Sequence, residues 1–517
     1  MIAAGLLLAA ASGRAQEAPA DVVIRGGTIY PGGEAPFRGD VAIRGDRILY
    51  IGKRAPGRAK RVIDATGLIV APGFIDTHTH VGEALASDDP ATRLVLPFLT
   101  QGVTTAFISV DGGGDPDVKA TFGGDRAPDW GINFATYVGL GAVRQMVIGA
   151  ADRAPSAAEL ARMNTLVGDA MCAGALGLST GLFYAPQSFA KRDEVVSLAR
   201  TAAAHGGIYD SHIRDESSYT IGLAGAIDEA LDIGRQTGIP VHIGHIKALG
   251  VDVQGQAPAI IAKIEEAQRA GLTVHADQYP WAASGTGLSA ALMPRWAQDG
   301  GREMMLKRLE NAGELARIRP AMADNLRRRG GAASLLITRG PDGTQGKTLE
   351  VVAAELRVDP VEAAITVLKR GEAGVASFNQ SEADIAAFMQ RPWVISSSDA
   401  SEGHPRYYAS YARKYATYVK EKRVIDLRTF IDQSSYRTAG IFALQGRGQL
   451  KPGAYADVIA FDPKSFAPRA DFTQPALFSR GMHTVMVNGQ LALDDGRPTG
   501  VAAGRPLPRT PKPGSCR

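Results

Sequence analysis

Pro72-Gly73-Phe74-Ile75-Asp76-Thr77-His78-Thr79-His80 is a short apolar run, opened by Pro-Gly and closed by His-x-His. Alternate residues of a strand share a face, so both imidazoles point the same way. At the C-terminal end of a barrel strand, that direction is the active-site mouth. Neutral imidazoles suit zinc and related ions. Taken alone, the pair also fits two partly buried histidines. Its position, right after a Gly-bounded strand that begins a long alternating stretch, favours the metal reading.

Downstream, strand-like runs recur at 73–77, 104–110, 208–212, 241–245, 273–279 and 393–398. Between them lie Ala-rich amphipathic stretches at 157–173, 195–205, 224–237 and 259–270. Strand–helix alternation on this scale predicts a parallel sheet with both faces covered. The span 73–445 fits an α/β fold of the TIM (β/α)8 barrel type. The stretch 288–345 breaks the rhythm with Pro294, Gly300-Gly301 and Arg327-Arg328-Arg329, and reads as an insertion near the barrel mouth. Both flanks read as β-structure. Residues 21–72 hold alternating strands with a Gly45-Asp46 turn, and 446–508 hold 456–462 and 484–490, the latter turning at Asn488-Gly489. The two ends are expected to build one small β-sandwich.

Further strand ends carry chemistry. His212 closes Tyr209-Asp210-Ser211-His212. In Pro240-Val241-His242-Ile243-Gly244-His245-Ile246-Lys247, His245 and Lys247 share a face and His242 takes the other, so His245 is assigned to the metal and His242 to the scaffold. His205, before Gly206-Gly207, reads as a helix-end histidine. His275, His404 and His483 are also left off the metal. Trp393-Val394-Ile395-Ser396-Ser397-Ser398-Asp399 delivers a carboxylate to the same rim. A lone Asp there could be a helix N-cap. With four histidines on other strand ends it reads as the group that takes a proton from metal-activated water and returns it to a leaving amine.

Composition narrows the class. Of 517 residues, 57 are basic and 53 acidic, a net charge of +4, so no nucleic-acid partner is indicated. The two cysteines, Cys172 and Cys516, are too few for a disulfide framework and read as a buried thiol and a tail thiol. The apolar run Ile2–Ala11, followed by small residues at Gly13 and Ala15, resembles a signal peptide over 1–15, although no basic residue precedes it. It is too short to span a bilayer, and no other segment reads as transmembrane. The expected location is periplasmic or secreted, or cytoplasmic if the run is not a signal. Oligomeric state is not legible.

These motifs together resemble the N-acyl-D-amino-acid deacylase (D-aminoacylase) branch of the amidohydrolase superfamily. The resemblance runs from about residue 21 to 510. It is carried by 73–80, Gly102-Val103-Thr104-Thr105, 178–186, Ser211-His212-Ile213-Arg214-Asp215-Glu216, His245-Ile246-Lys247, Asp277-Gln278-Tyr279-Pro280, His404-Pro405-Arg406, 453–458 and Val487-Asn488-Gly489. It implies a TIM barrel with a flanking β-sandwich, a main zinc (Zn2+) on His212 and His245, and a second, often weaker site at His78 and His80. Asp399 resembles the general base and acid, and Lys247, Tyr279 and Arg406 resemble the group that holds the carboxylate of a small-molecule substrate. An Arg can grip a carboxylate through two parallel hydrogen bonds.

One position departs from the family, which often has a cysteine ligand shortly after its Gly-Val-Thr-Thr strand. Asp111 stands there, in Val110-Asp111-Gly112-Gly113-Gly114, and is expected to ligate in its place. A carboxylate is a harder donor than a thiolate, so one or two zinc ions, or another divalent metal, are expected. The implied reaction is hydrolysis of N-acyl-D-amino acids to a carboxylic acid and a D-amino acid. A dipeptidase-like or other C–N hydrolase on the same barrel is the alternative, and a non-catalytic metal-binding barrel a weaker one.

Overall fold

The computed structural model describes residues 19–124 and 129–516, so the signal-peptide reading of 1–15 lies outside the described residues. Eight parallel strands form the barrel: β1 (Phe74–Asp76), β2 (Val103–Ile108), β3 (Asn133–Thr136), β4 (Gly177–Gly181), β5 (Ile208–His212), β6 (Val241–Ile243), β7 (Val274–Gln278) and β8 (Val394–Ser396). β1 pairs β2 and β2 pairs β3, while β4 to β8 pair in order. Val138–Gly139, directly after β3, joins it to β4. The circle closes between β8 and β1 just past the strands, where Asp399 N donates to His78 O (2.9 Å) and Thr79 bridges Ala400. Every residue of β1, β2, β4, β5, β6 and β8 is buried, which explains why all of these but β4 read as apolar runs without alternation.

The intervening helices begin and end on local signals. Helix Ala157–Cys172 opens on a capping box: Ser156 Oγ accepts from Glu159 N, and Glu159 Oε2 accepts from Ser156 N at 2.7 Å. Helix Gly222–Thr237 stops at Gly238, whose φ of 70° is the left-handed C-terminal turn that glycine adopts without penalty. Their apolar faces, including Val167, Leu198, Ile227, Leu231 and Ile264, close one core with the outer faces of β4 to β7.

The chain ends meet in one nine-stranded sheet. Val458–Phe461 pairs antiparallel with Ile69–Pro72, which sits beside Ala20–Ile29. Period two decides the packing. Val70, Val458, Ala460 and Met486 face the sheet's own core with Ile24 and Val41. Ile69, Ala71, Ile459, Phe461 and Val485 face the barrel, against Phe74, Tyr411 and Phe430. The molecule is thus a (β/α)8 barrel with a β-sandwich domain.

Two expectations are corrected. The excursion placed at 288–345 is wider: an antiparallel sheet joins Ala283–Gly287, Leu335–Arg339 and Gly374–Phe378, so the insertion is a subdomain with its own strands and an apolar core around Leu292, Ile318 and Leu368. Its helical middle hid this in the sequence, because the strands lie at its edges. The cysteines are not separate thiols. Cys172 and Cys516 form a disulfide across a separation of 344 residues. The tail reaches Cys172 by running along the N-terminal ends of the barrel strands, where Phe134 N donates to Arg505 O, Arg509 N to Gly174 O and Lys512 N to His205 O. No described helix is long and apolar enough to cross a membrane.

Candidate metal and catalytic centre

Strand ends bring the sequence-assigned residues together at the C-terminal mouth of the barrel. β1 delivers His78 and His80, the turn after β2 delivers Asp111, β5 ends in His212, and the turns after β6 and β8 deliver His245 and Asp399. Asp111 is the hub. Its Oδ1 lies 3.1 Å from His78 Nε2, 3.5 Å from His212 Nδ1 and 3.5 Å from His245 Nε2, and its Oδ2 lies 3.6 Å from His80 Nε2. His80 Nε2 is also 3.2 Å from Asp399 Oδ1. Three of these groups hold left-handed backbone: Asp111 (φ 55°), His245 (φ 34°) and Asp399 (φ 49°). Such conformations persist only where surroundings enforce them. Around Asp111 the enforcement is visible. Gln187 Nε2 donates to Asp111 O (2.8 Å) and Gln187 Oε1 accepts from Gly181 N (2.7 Å). Ser179 Oγ accepts from Gly112 N (3.1 Å).

The donor set suits a divalent cation. His78 Nδ1 and Nε2, His212 Nδ1 and Nε2, and Asp111 Oδ1 are buried without a hydrogen-bond partner, whereas folded proteins generally pair such atoms. Convergent, unpaired imidazoles around one carboxylate are what a bound ion would satisfy. The electrostatics agree. Burial alone would raise the Asp111 carboxyl, but His78, His212 and His245 hold it well below the usual range. Burial and Lys247 act to lower His245, yet Glu216 and Asp111 outweigh them and push it up to about 10. Burial also opposes ionisation of Asp399, and Arg406, His80 and the buried histidines overcome it.

The residues expected to hold a carboxylate also gather. Lys247 Nζ and the Arg406 guanidinium flank the ring of Tyr279 at 5.5 Å and 5.3 Å from its centroid. Each has an internal partner. Arg406 Nη1 donates to Asp399 Oδ2 (2.6 Å) and Nη2 to Ser401 Oγ (2.9 Å). Lys247 Nζ donates to Glu216 Oε1 (2.6 Å). Tyr279 OH accepts from Gln380 Nε2 (2.8 Å), and Tyr279 itself stays behind the cavity wall. A cavity of about 480 Å³ opens over the cluster, lined by His80, Asp111, His212, His245, Lys247, Asp399 and Arg406 on one side, and by Arg329, Arg339 and Val375 of the insertion on another.

The scaffold histidines stay off the cluster. His242 Nε2 is 2.7 Å from Asp277 Oδ2 beneath the site. His205 caps a helix, with Nδ1 2.8 Å from Thr201 O. Sequence reasoning missed three contributors. Asp277 ties His242 to the backbone N of His245 (2.8 Å). Gln187 holds the Asp111 turn. Glu216, four residues after His212, faces His212, His245 and Lys247. Its neighbours were misleading, since Arg214 pairs with Glu229 and Asp215 caps the backbone of Ser217 and Gly222. No local pattern marked it, because His212 ends a strand and Glu216 lies in the irregular loop that follows.

No family model matches the chain. Two curated relatives from Alcaligenes xylosoxydans xylosoxydans match nearly end to end. A D-aminoacylase is 31% identical over 520 residues, covering 95% of this chain and 98% of the relative. An N-acyl-D-glutamate deacylase is 32% identical over 492 residues, covering 91% and 93%. The chain belongs to the D-aminoacylase family of amidohydrolases. Within that family, a solved N-acyl-D-glutamate deacylase from Bordetella bronchiseptica, complexed with zinc and a phosphonate mimic of the tetrahedral intermediate, superposes with a TM-score of 0.79 at 29% identity. The match covers 95% of this D-aminoacylase-family chain and all of that one.

Proposed function

We propose that this protein is a metal-dependent amidohydrolase that cleaves N-acyl-D-amino acids into a carboxylic acid and a D-amino acid. The observation that carries this is the convergence of His78, His80, His212, His245 and Asp111 at the barrel mouth, beside Asp399 and a two-cation clamp, in a chain that matches D-aminoacylases nearly end to end. His212, His245 and Asp111, with His78 and His80, would hold the ion. Bound there, it would supply Lewis acidity to a water molecule and to the scissile carbonyl.

The chain's own groups do the rest. Asp399, kept ionised by Arg406, takes a proton from the attacking water and returns it to the amide nitrogen as the C–N bond breaks. Arg406 and Lys247 hold the substrate carboxylate, which fixes the amide relative to Asp399. Zinc is the proposed metal, supported by the zinc bound to the Bordetella relative. The carboxylate of Asp111 makes manganese a competitor. The disulfide supports export to the periplasm or beyond, where such bonds persist.

Arg329 supports an acidic substrate side chain. It lines the cavity and is 1% exposed, yet Nε and Nη1 donate to neutral oxygens, Tyr219 OH (2.7 Å) and Ser377 Oγ (3.1 Å). A buried guanidinium without a carboxylate is costly, and a substrate carboxylate would offset that cost.

Purified protein assayed on paired N-acetyl-D- and N-acetyl-L-amino acids, with metal analysis, tests the reading. Turnover is expected on the D series, highest for D-glutamate or D-aspartate. Full metal occupancy with no turnover of either series would overturn it. Arg329→Met should lower kcat/KM on the acidic substrate about tenfold to a hundredfold and spare neutral ones. An equal loss on both would remove the side-chain assignment.

A further inference from the structure

The mouth of the barrel holds three overlapping donor clusters, one of them His78, His80 and Asp399, and the other two share His245. His78, Asp111 and His245 converge on one side of the His245 ring, and His212, Glu216 and His245 converge on the other. Each imidazole is caught between two carboxylates. His245 Nε2 faces Asp111 (3.5 Å) and Nδ1 faces Glu216 Oε1 (3.1 Å). His212 Nδ1 faces Asp111 (3.5 Å) and Nε2 faces Glu216 Oε2 (3.7 Å). Geometry alone would let an ion sit on either side.

Charge separates them. Lys247 Nζ lies 2.6 Å from Glu216 Oε1 and 2.6 Å from His245 Nδ1, and also donates to His245 O (2.9 Å). A dication beside that ammonium would meet like charge at contact distance in a buried site, where Coulomb energies are large. The Asp111 side has no cationic side chain among these contacts. We propose that Glu216 is a positioning residue and not a ligand: its carboxylate takes the proton of His245 Nδ1 (3.1 Å) and so turns the Nε2 lone pair toward Asp111.

The argument rests on the metal-dependent reading above. A ligating imidazole must present an unprotonated nitrogen to the ion and carry its proton on the other. For His245 the nitrogen toward Asp111 is Nε2, so the proton sits on Nδ1, and the acceptor at hand is Glu216 Oε1. The competing arrangement has Nδ1 accept from Lys247, which protonates Nε2 and points N–H at Asp111. Glu216 opposes it by taking the Lys247 ammonium for itself. One buried carboxylate therefore sets the orientation of the His245 ring and neutralises the adjacent lysine.

The test compares wild type, Glu216→Gln and Glu216→Asp, each reloaded with Co2+ or Zn2+ against a competing chelator. Glu216→Gln should bind about tenfold to a hundredfold more weakly, the usual cost of losing such an orienting partner. X-ray absorption of the Co2+ form should show an unchanged count of nitrogen and oxygen ligands. Ring 15N shifts of the wild type should place the His245 proton on Nδ1. Glu216→Asp, which keeps the charge one methylene back, should fall between, and it serves alone if the Gln variant does not fold. Wild-type affinity in either variant would overturn the proposal, as would loss of an oxygen ligand in Glu216→Gln or a proton on His245 Nε2. A wild type that takes up no metal would overturn the metal-dependent function as well, so the two failures are distinguishable.

Discussion

Asp111 holds strained backbone where an unstrained loop aspartate would be cheaper, at a cost of about 1–3 kcal/mol for such a conformation. That strain aims its carboxylate at three imidazoles. Asp111→Ala should therefore lower the metal content of the purified protein together with its activity, and normal values of both would remove it from the ligand set. Asp399 is expected to behave differently. Asp399→Asn keeps the shape but cannot take a proton, so turnover should fall by about 10²–10⁴-fold with metal content retained. Substantial remaining activity would take Asp399 out of the chemistry. A third residue governs stability. Burial pulls the Lys414 ammonium, which donates to Ser396 Oγ and Gln433 Oε1, from 10.5 down to about 7. Between those values the unfolded chain binds the extra proton, so this group makes stability rise with pH from about 7 upward, by at most about 1.4 kcal/mol per pH unit. Lys414→Met should flatten that rise in denaturant titrations between pH 7 and 9, and parallel curves for the two proteins would refute the assignment.

At the scale of elements, the site depends on turns that follow strands. β4 supports the Asp111 turn through Gly181, where a Cβ would stand 2.3 Å from Asp111 O. Gly181→Ala must displace that turn, with an expected loss of about 1–3 kcal/mol and a drop in metal content. A thermally normal variant with full metal would show that the turn can yield. The sequence made β1, β2, β5, β6, β7 and β8 legible because each is a Gly- or Pro-bounded apolar run that leads into a His, Asp or Tyr. β3 (Asn133–Thr136) and β4 were not among the strands read from pattern. Both carry polar residues that hydrogen-bond inside the protein, such as Ser179 Oγ to Asp210 Oδ2 at 2.7 Å. Polarity buried by partners elsewhere in the chain gives no local signal. The insertion was visible only as a break in rhythm, and its three strands pair across 35 residues or more.

For the whole molecule, the tail is the feature that local reading could not find. It fastens the N-terminal ends of the strands, opposite the metal-site mouth, and the Cys172–Cys516 bond closes β4 to β8 and the C-terminal strands of the outer sheet into one loop of the chain. Cross-links over long loops restrict the unfolded chain most, with typical effects of about 2–5 kcal/mol for a native bond. Cys516→Ser should lower the unfolding temperature while metal content and kcat/KM at 25 °C stay near wild type. An unchanged unfolding temperature would show that the tail's backbone hydrogen bonds suffice.

By itself the sequence determined the barrel, the β-rich ends, and the four histidines with Asp111 and Asp399. These are written in periodicity and at strand ends, where one strand's direction fixes where its last side chain points. The tertiary structure alone decided that Cys172 meets Cys516, that Arg406 rests on Asp399, and that Glu216 stands between His212, His245 and Lys247. Those relations join residues from different strands and helices, and their energies depend on burial and on charges contributed by other elements. No window along the chain contains that information.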